Sequence, residues 1–294
     1  MGVKTVLKAI GAAMLILLLI DVVAVFWAMD QVEKKMAHKF QFPPLNISEK
    51  MKTADRETGR RIVMIRNRCP ECHGEDLGGK TFMKGAALGT FSGGNITPYE
   101  LGKKSDEDVA RAVYYGIRPD GTPLIFMPSV EYHNLALEDV AAVVAYLRGV
   151  PAVARPNGEI RIALAGKLFS VAGKAPMIFS AEMISPSAVP VVKPPEVISV
   201  AFGKYLVVSS CAGCHGERLE GGTIEGGDPS WPPASNLRTE KLGAWREEDF
   251  IKAMRTGLTP EMKITREPML GLIEYGKQMN DMELRAMWSY LSTL

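Results

Sequence analysis

The stretch Cys69-Pro70-Glu71-Cys72-His73 has a counterpart later in the chain, Cys211-Ala212-Gly213-Cys214-His215. These two stretches contain all four cysteines of the 294-residue chain and two of its four histidines. A Cys-x-x-Cys-His motif is typical of c-type haem attachment, in which both thiols bond to the haem and the histidine binds its iron. The sequence therefore predicts two covalently bound haems c. Their attachment residues are Cys69, Cys72, Cys211 and Cys214, and their first iron ligands are His73 and His215.

Paired cysteines have two other common uses. The two pairs can form one tetrahedral all-thiolate zinc centre, but that site leaves the two adjacent histidines unexplained. A dithiol redox motif belongs to a βαβ pattern, whereas the segments flanking both motifs have the character of helices and loops. Covalent haem is the interpretation that accounts for the whole motif.

The second half of the chain repeats the first at an offset of 142 residues between Cys69 and Cys211. Other landmarks follow in step: Asn95-Ile96-Thr97 matches Asn236-Leu237-Arg238, and Gly116-x-x-Pro119 matches Gly257-x-x-Pro260. A period this long exceeds that of solenoid repeats. The pattern predicts a duplicated domain, with a first unit at residues 55–150 and a second at residues 200–294.

Each unit has three stretches of helical character. One helix enters the haem motif, at 58–68 and at 200–210. A middle helix begins at acidic residues, as expected at a helix N-terminus, after Ser105 and after Arg246. A closing helix spans about 138–148 and 281–291. The predicted fold class is all-α, with two tandem domains after one N-terminal transmembrane helix.

Two linking segments complete the predicted organisation. Residues 151–199 contain seven prolines, including the pair Pro194-Pro195. Proline removes backbone donors and stiffens extended chain, so we expect an ordered connector with little regular structure. Residues 31–54 form a shorter linker before the first unit.

Residues 9–29 form an apolar run of membrane-spanning length with one charge, Asp21. We expect an uncleaved anchor at 1–30. A cleaved signal peptide is the alternative, although such peptides have a shorter apolar core and a small-x-small cleavage site. Because Lys4 and Lys8 precede the run, the positive-inside rule places the N-terminus in the cytoplasm. The chain is then a single-pass inner-membrane protein with periplasmic haem domains.

Asp21 lies inside the apolar run, where an ionisable group is costly unless it has a partner. It either pairs with a polar group of another membrane subunit or stays protonated in a very apolar helix. The formal net charge of +2 is too small to indicate nucleic acid as a partner.

The sixth iron ligand distinguishes an electron-transfer haem from one that binds exogenous ligands. Met127 and Met269 each lie 58 residues after the first cysteine of their motif, and we predict them as the second metal ligands. Met279 is the rival in the second unit, although it aligns with Leu135, and Met262 has no methionine counterpart. His133 is the rival in the first unit.

Several arginines lie on the helix that enters the first motif: Arg56, Arg60, Arg61, Arg66 and Arg68. They form either a solvated face or a patch that binds a partner or the haem propionates. Acidic residues nearby favour the solvated face.

The pattern resembles membrane-anchored di-haem cytochromes c built from two class I domains. The likeness rests on Cys-x-x-Cys-His-Gly at 69–74 and 211–216, Asn-Ile-Thr at 95–97, Gly-Ile-Arg-Pro-Asp-Gly at 116–121, Met127-Pro128, and the closing Ala-Tyr-Leu and Ser-Tyr-Leu. The resemblance implies the domain fold, His/Met ligation and an electron-relay role. Two departures stand out: Pro268-Met269 reverses the family order, and Lys104-Ser105 stands where the second unit has Trp245.

We therefore expect a non-catalytic electron-transfer subunit of an oxidoreductase complex. It relays single electrons from a redox complex, such as a quinol-oxidising bc-type complex, to an acceptor such as a terminal oxidase. The expected partners are subunits of that membrane complex, contacted through the transmembrane helix and Asp21, and a soluble or membrane electron acceptor. The alternative is the electron-accepting subunit of a periplasmic dehydrogenase. A di-haem peroxidase is less favoured, since it needs a haem that opens on one side.

Overall fold

A computed structural model describes residues 2–224, 227, 230–238 and 242–294. The fold is mostly helical, but it also contains a three-stranded antiparallel sheet, so the all-α prediction was incomplete. Strand β1 (Lys80–Ala86) pairs with β2 (Gly89–Gly93), and β3 (Arg161–Ile162) extends the sheet from β2. Gly85 and Gly89 have positive φ and allow the tight turn between the first two strands.

Helix α1 (Val3–Ala37) is the one helix in the described residues that is long and apolar enough to cross a membrane. Its length and composition make α1 a candidate membrane anchor, and a signal sequence has the same length and composition. The helix continues seven residues beyond the predicted anchor, where the sequence suggested a linker. Ala28 and Val32, near this end of the helix, are buried, because the connector packs against it.

The first unit and the residues just before it contain seven helices in the described structure: α2 (Ser48–Met51), α3 (Arg56–Arg61), α4 (Pro70–His73), α5 (Pro98–Leu101), α6 (Asp106–Tyr115), α7 (Ser129–Tyr132) and α8 (Leu137–Arg148). Helix α3 continues directly into a π-helical turn at Ile62–Arg66. The predicted entering helix therefore exists, but its second half is wound more loosely than an α-helix.

The connector is more regular than its proline content suggested. It contains β3, helix α9 (Leu164–Val171) and a 3₁₀ segment at Pro176–Met183. Lys167 of α9 and Glu182 of the 3₁₀ segment form ion pairs with Glu33 and Lys35 of α1. The connector thus ties the end of α1 to the first unit.

The second unit contains α10 (Val200–Ser210), α11 (Ala212–His215), α12 (Glu247–Thr256), a 3₁₀ segment (Met269–Leu272), α13 (Ile273–Gln278) and α14 (Asp281–Leu291). The middle helices α6 and α12 both begin with three acidic residues and both end at a left-handed glycine, Gly116 and Gly257. A left-handed glycine is a common helix C-cap, which explains why both helices stop there.

The entering and closing helices cross at a glycine in each unit. A Cβ on Gly59 would lie 1.9 Å from the Ala142 carbonyl oxygen, and a Cβ on Gly203 would lie 1.8 Å from that of Ala286. The backbones can approach this closely only because glycine has no side chain. These helices match at an offset of 144, whereas the Cys-x-x-Cys-His motifs match at 142. The first unit therefore has two extra residues between Gly59 and its motif.

Candidate functional site: two apolar cavities at the Cys-x-x-Cys-His motifs

Each motif histidine is fixed by a backbone carbonyl. His73 Nδ1 lies 2.6 Å from the Gly94 carbonyl oxygen, and His215 Nδ1 lies 2.8 Å from that of Ser235. A carbonyl oxygen only accepts, so Nδ1 must donate its proton and the lone pair stays on Nε2. This is the arrangement found in metal-ligating histidines, whose second nitrogen donates to a fixed acceptor.

Burial keeps both imidazoles neutral. It lowers the pKa of His73 and of His215 below the ordinary value, although the hydrogen bond to the carbonyl partly opposes the change. A neutral imidazole is the form that binds a metal ion. Both histidines are therefore in the right tautomer and charge state to act as iron ligands.

The first motif opens onto a cavity of about 400 Å³. Cys69, Cys72, His73 and Met127 all line it. Its walls are mainly apolar and include Ile96, Leu101, Val109, Leu124, Phe126 and Leu147. An apolar slot with two thiols and an imidazole at one wall and a thioether in the lining fits a covalently attached haem.

The second motif opens onto a separate cavity of about 740 Å³. Cys211, Cys214 and His215 line it, together with Met269 and Met279. Trp245 also faces this cavity, whereas Lys104 lines the first. The donor set again fits a haem, and the cavity itself admits either methionine as the sixth ligand.

The rival ligands lie in different surroundings. His133 is absent from the lining of the first cavity, and its ring packs at a tilt against that of Tyr114, with a ring-centroid distance of 4.3 Å. Leu135, which aligns with Met279, lines the first cavity as a wall residue. Met262 is 68% exposed and does not line the second cavity. Of the three rivals, Met279 alone lines the same cavity as the predicted ligand of its unit.

The two cysteine pairs line different cavities and share no common centre. Across the described residues, which include every cysteine, no group of three or more His, Cys, Asp or Glu side chains is placed to hold a metal ion. The single zinc centre considered from the sequence is therefore not formed.

At the junction between the two units, matched residues of each unit contact the other unit in the same way. Arg61 of α3 forms an ion pair with Glu283 of α14, and Tyr205 of α10 donates to Asp139 of α8 over 2.6 Å. At the 144-residue offset Arg61 matches Tyr205, and Asp139 matches Glu283. Each entering helix thus binds the third residue of the other unit's closing helix, as in an interface with two-fold symmetry.

Two further contacts follow the same approximate two-fold axis. The Glu131 carboxylate lies against Gly213, where a Cβ would be 1.8 Å from Oε1, and the matched Tyr275 hydroxyl donates to Glu71 over 2.9 Å. On the axis itself, Asn67 Nδ2 donates to the Ser209 carbonyl over 2.7 Å. The two cavities therefore lie side by side across a single junction.

Three of the arginines take part in this junction, so the solvated-face interpretation was wrong for them. Arg61 pairs with Glu283, Arg66 is buried against Asp139 at 3.4 Å, and Arg68 lines both cavities. By contrast, Arg60 pairs with the exposed Glu57 on the same helix. The signal that would have found the junction is the second offset, 144, which aligns Asp139 with Glu283.

Comparisons with known proteins agree with this geometry. Residues 200–294 match the Cytochrome c family. The chain is 26% identical over 253 residues to the fructose dehydrogenase cytochrome subunit of Gluconobacter japonicus, covering 77% of this chain and 50% of that protein. It is 26% identical over 264 residues to a nicotinate dehydrogenase subunit of Pseudomonas putida, covering 81% of this chain and 21% of that protein.

The chain thus spans about half the length of one relative and about a fifth of the other. A cytochrome c domain implies covalently bound haem c. Residues 200–294 form such a domain, in a chain homologous to subunits of dehydrogenases.

Proposed function

We propose that the chain is a di-haem electron-transfer subunit with two tandem cytochrome c domains, 55–150 and 200–294, that accepts electrons from a membrane-associated dehydrogenase. The observation that supports it best is the repeated site: a Cys-x-x-Cys-His motif with a fixed Nε2, an apolar cavity and a methionine in the lining, once in each unit. The relatives favour a dehydrogenase as electron donor over the quinol-oxidising complex that the sequence first suggested.

The residues of the two sites have defined roles in this proposal. Cys69 and Cys72 hold one haem by thioether bonds, as Cys211 and Cys214 hold the other. His73 with Met127, and His215 with Met269, ligate the two irons. When bound, the haems would supply one-electron redox chemistry at their irons. The Gly94 and Ser235 carbonyls hold the histidines in one orientation and leave the Nε2 lone pairs free to bind iron.

Helix α1 is proposed as an uncleaved anchor that holds both domains at the periplasmic face of the inner membrane. Asp21 is exposed on this helix and is the proposed contact with a second membrane subunit. A downstream membrane or soluble acceptor then removes the electrons.

The test is to solubilise membranes of the native host gently, isolate the chain by its covalent haem and identify the subunits that accompany it. We expect a dehydrogenase subunit, with haem reduction by that enzyme's substrate. An Asp21→Leu chain tests the proposed membrane contact: it should retain both haems but lose the partner subunits. Isolation of a lone chain that has a high-spin haem and decomposes peroxide would contradict the proposal in favour of a peroxidase.

A further inference from the structure

Arg68 is the one described residue that lines both cavities. It lies directly before Cys69 and next to Asn67, whose side chain makes the hydrogen bond on the approximate two-fold axis. A group at that axis is close to both sites at once. At the equivalent place in the second unit stands Ser210, which is uncharged, so the symmetry of the junction is broken by this cation.

The backbone before Cys69 explains the position of Arg68. The first unit has two extra residues between its helix crossing and its motif, and the chain accommodates them in the π-helical turn Ile62–Arg66 and in a left-handed residue, Arg68 with φ of 50°. In the second unit, α10 leads directly into Cys211. Such π-turns often occur at functional sites, and here the turn brings an arginine to the junction.

The charge of Arg68 acts on both motifs. Burial raises the pKa of the Cys69 thiol to about 12, and the positive charge of Arg68 opposes that rise. Burial also raises the pKa of the Cys211 thiol, and there the positive charge of Arg68 opposes the rise while the Glu131 carboxylate adds to it. These sulfur atoms mark the thioether links of the two haems, so one guanidinium is within electrostatic range of both attachment points.

We propose that the positive charge of Arg68 acts on both sites and raises the reduction potential of both. Adding one electron to either site lowers the positive charge of that site by one, and a nearby cation favours the lower charge. No bond forms or breaks and no proton moves. This inference rests on the proposed function, because it requires two covalent haems.

The experiment uses the full-length haem-loaded chain in detergent and the variants Arg68→Gln and Arg68→Lys. Spectroelectrochemical titration gives both midpoint potentials, and Met127→Ala identifies which step belongs to the first site. For Arg68→Gln we expect each reduction equilibrium constant to fall about tenfold, as for a unit charge roughly 12 Å away at an effective dielectric constant near 20. A tenfold change in a one-electron couple is 59 mV.

Lys104→Gln and Lys263→Gln are matched controls, because these lysines each line one cavity. Each of these two variants should lower the potential only of the site whose cavity that lysine lines. Arg68→Lys should leave both potentials close to their wild-type values. A structural role alone would not be rescued by charge in this way.

Three outcomes overturn the proposal. If Arg68→Gln moves only the first potential, Arg68 serves one site. If it moves neither, or if Arg68→Lys behaves like Arg68→Gln, its charge is not the cause. In each of these cases the wild-type chain still has two haems by mass spectrometry, so the proposed function stands. A wild-type chain with a single covalent haem contradicts the proposed function as well.

Discussion

The two units share the same helical framework, but different elements enclose their cavities. Both have the glycine crossing, the fixed histidine, the left-handed glycine after the middle helix and the methionine. The first cavity is additionally covered by β1, β2 and connector residues such as Asn157 and Ile160. In the described part of the second unit, the matching stretch forms a single bridge, Gly222 to Ala234. The helices and turns that hold the proposed ligands are thus alike in the two units, while the elements that enclose the cavities differ.

The connector attaches to the first unit through Asn95. Asn95 Nδ2 donates to the carbonyls of Val153 and Arg155, and its backbone N–H donates to Asn157. The equivalent Asn236 makes the same local turn, accepting from the Arg238 N–H at 2.8 Å. An enclosed haem has less contact with water, which changes its potential. We therefore expect two distinct midpoint potentials.

Replacing the proposed sixth ligands has the largest expected effect on the comparison. Met127→Ala should lower the potential of the first site and make its haem high-spin, and Met269→Ala should do the same only in the second. Met279→Ala should cost stability with little change in potential. Visible spectra and redox titration check these outcomes. If Met279→Ala instead removes the low-spin signal, the two units do not use matched ligands.

Substitutions at the glycine crossings test whether the entering and closing helices pack equally closely in the two units. Gly59→Ala and Gly203→Ala each force a methyl group onto a backbone carbonyl, and we expect each to cost about 2–4 kcal/mol of unfolding free energy. Gly11→Ala, at a position with open space around its Cβ, is the control. Guanidinium unfolding followed by circular dichroism measures the loss. A large cost in one unit only would show that the crossings are not equivalent.

The exchanged contacts at the junction should differ in strength. Glu283 is 3% exposed and depends on Arg61 for a cationic partner, so Arg61→Met should cost about 3 kcal/mol. Tyr205→Phe should cost about 1 kcal/mol, because Asp139 also has Lys193 at 2.6 Å. Unfolding experiments on both variants compare the two halves. Adding Glu283→Gln should recover part of the Arg61→Met loss, and an absence of recovery would argue against the pairing.

The smallest expected effect is a pH dependence of the unfolding free energy, which comes from the groups around Asp139 at the junction. Burial and the Asp139 carboxylate both raise the pKa of Tyr205. Burial lowers the pKa of Lys193, but Asp139 and Glu196 outweigh it and the net direction is upward. Both groups therefore stabilise the folded chain fully below about pH 10 and lose that contribution above it.

A Tyr205→Phe, Lys193→Met double variant should show a shallower loss of stability than the wild type between about pH 10 and 11.5, the range just above the ordinary pKa values of tyrosine and lysine. Denaturant midpoints at matched ionic strength measure the difference. Identical slopes in the two chains would mean that these groups titrate alike in the folded and unfolded states.

The sequence predicted the parts of the fold that have local signals. Helix α10, the starts of α6 and α12, and the closing helices lie where their patterns placed them. The strands at Lys80–Gly93 were missed because glycines interrupt the alternation of Thr81, Phe82, Thr90 and Phe91. Helix α9 was missed because the prolines around it dominated the interpretation of the connector.

The junction could not be predicted from one offset. The first unit has two residues added before Cys69, and the second has two added after Met269. Together they displace the entering and closing helices from the register of the motifs, so the 142 offset aligned neither Arg61 with Tyr205 nor Asp139 with Glu283. A run of arginines beside glutamates also looks the same in sequence whether its partners lie on the same helix or in another unit. The placement of Arg68 depends on a π-turn, and composition gives no signal for it.

The exchanged contacts have a consequence for how the molecule assembles. An interface of this symmetry ordinarily joins two identical chains, and such pairs separate on dilution. Here both halves are parts of one chain, so each unit meets the other at an effective concentration fixed by the connector. The paired arrangement of the two cavities therefore does not depend on how many copies of the protein a cell makes.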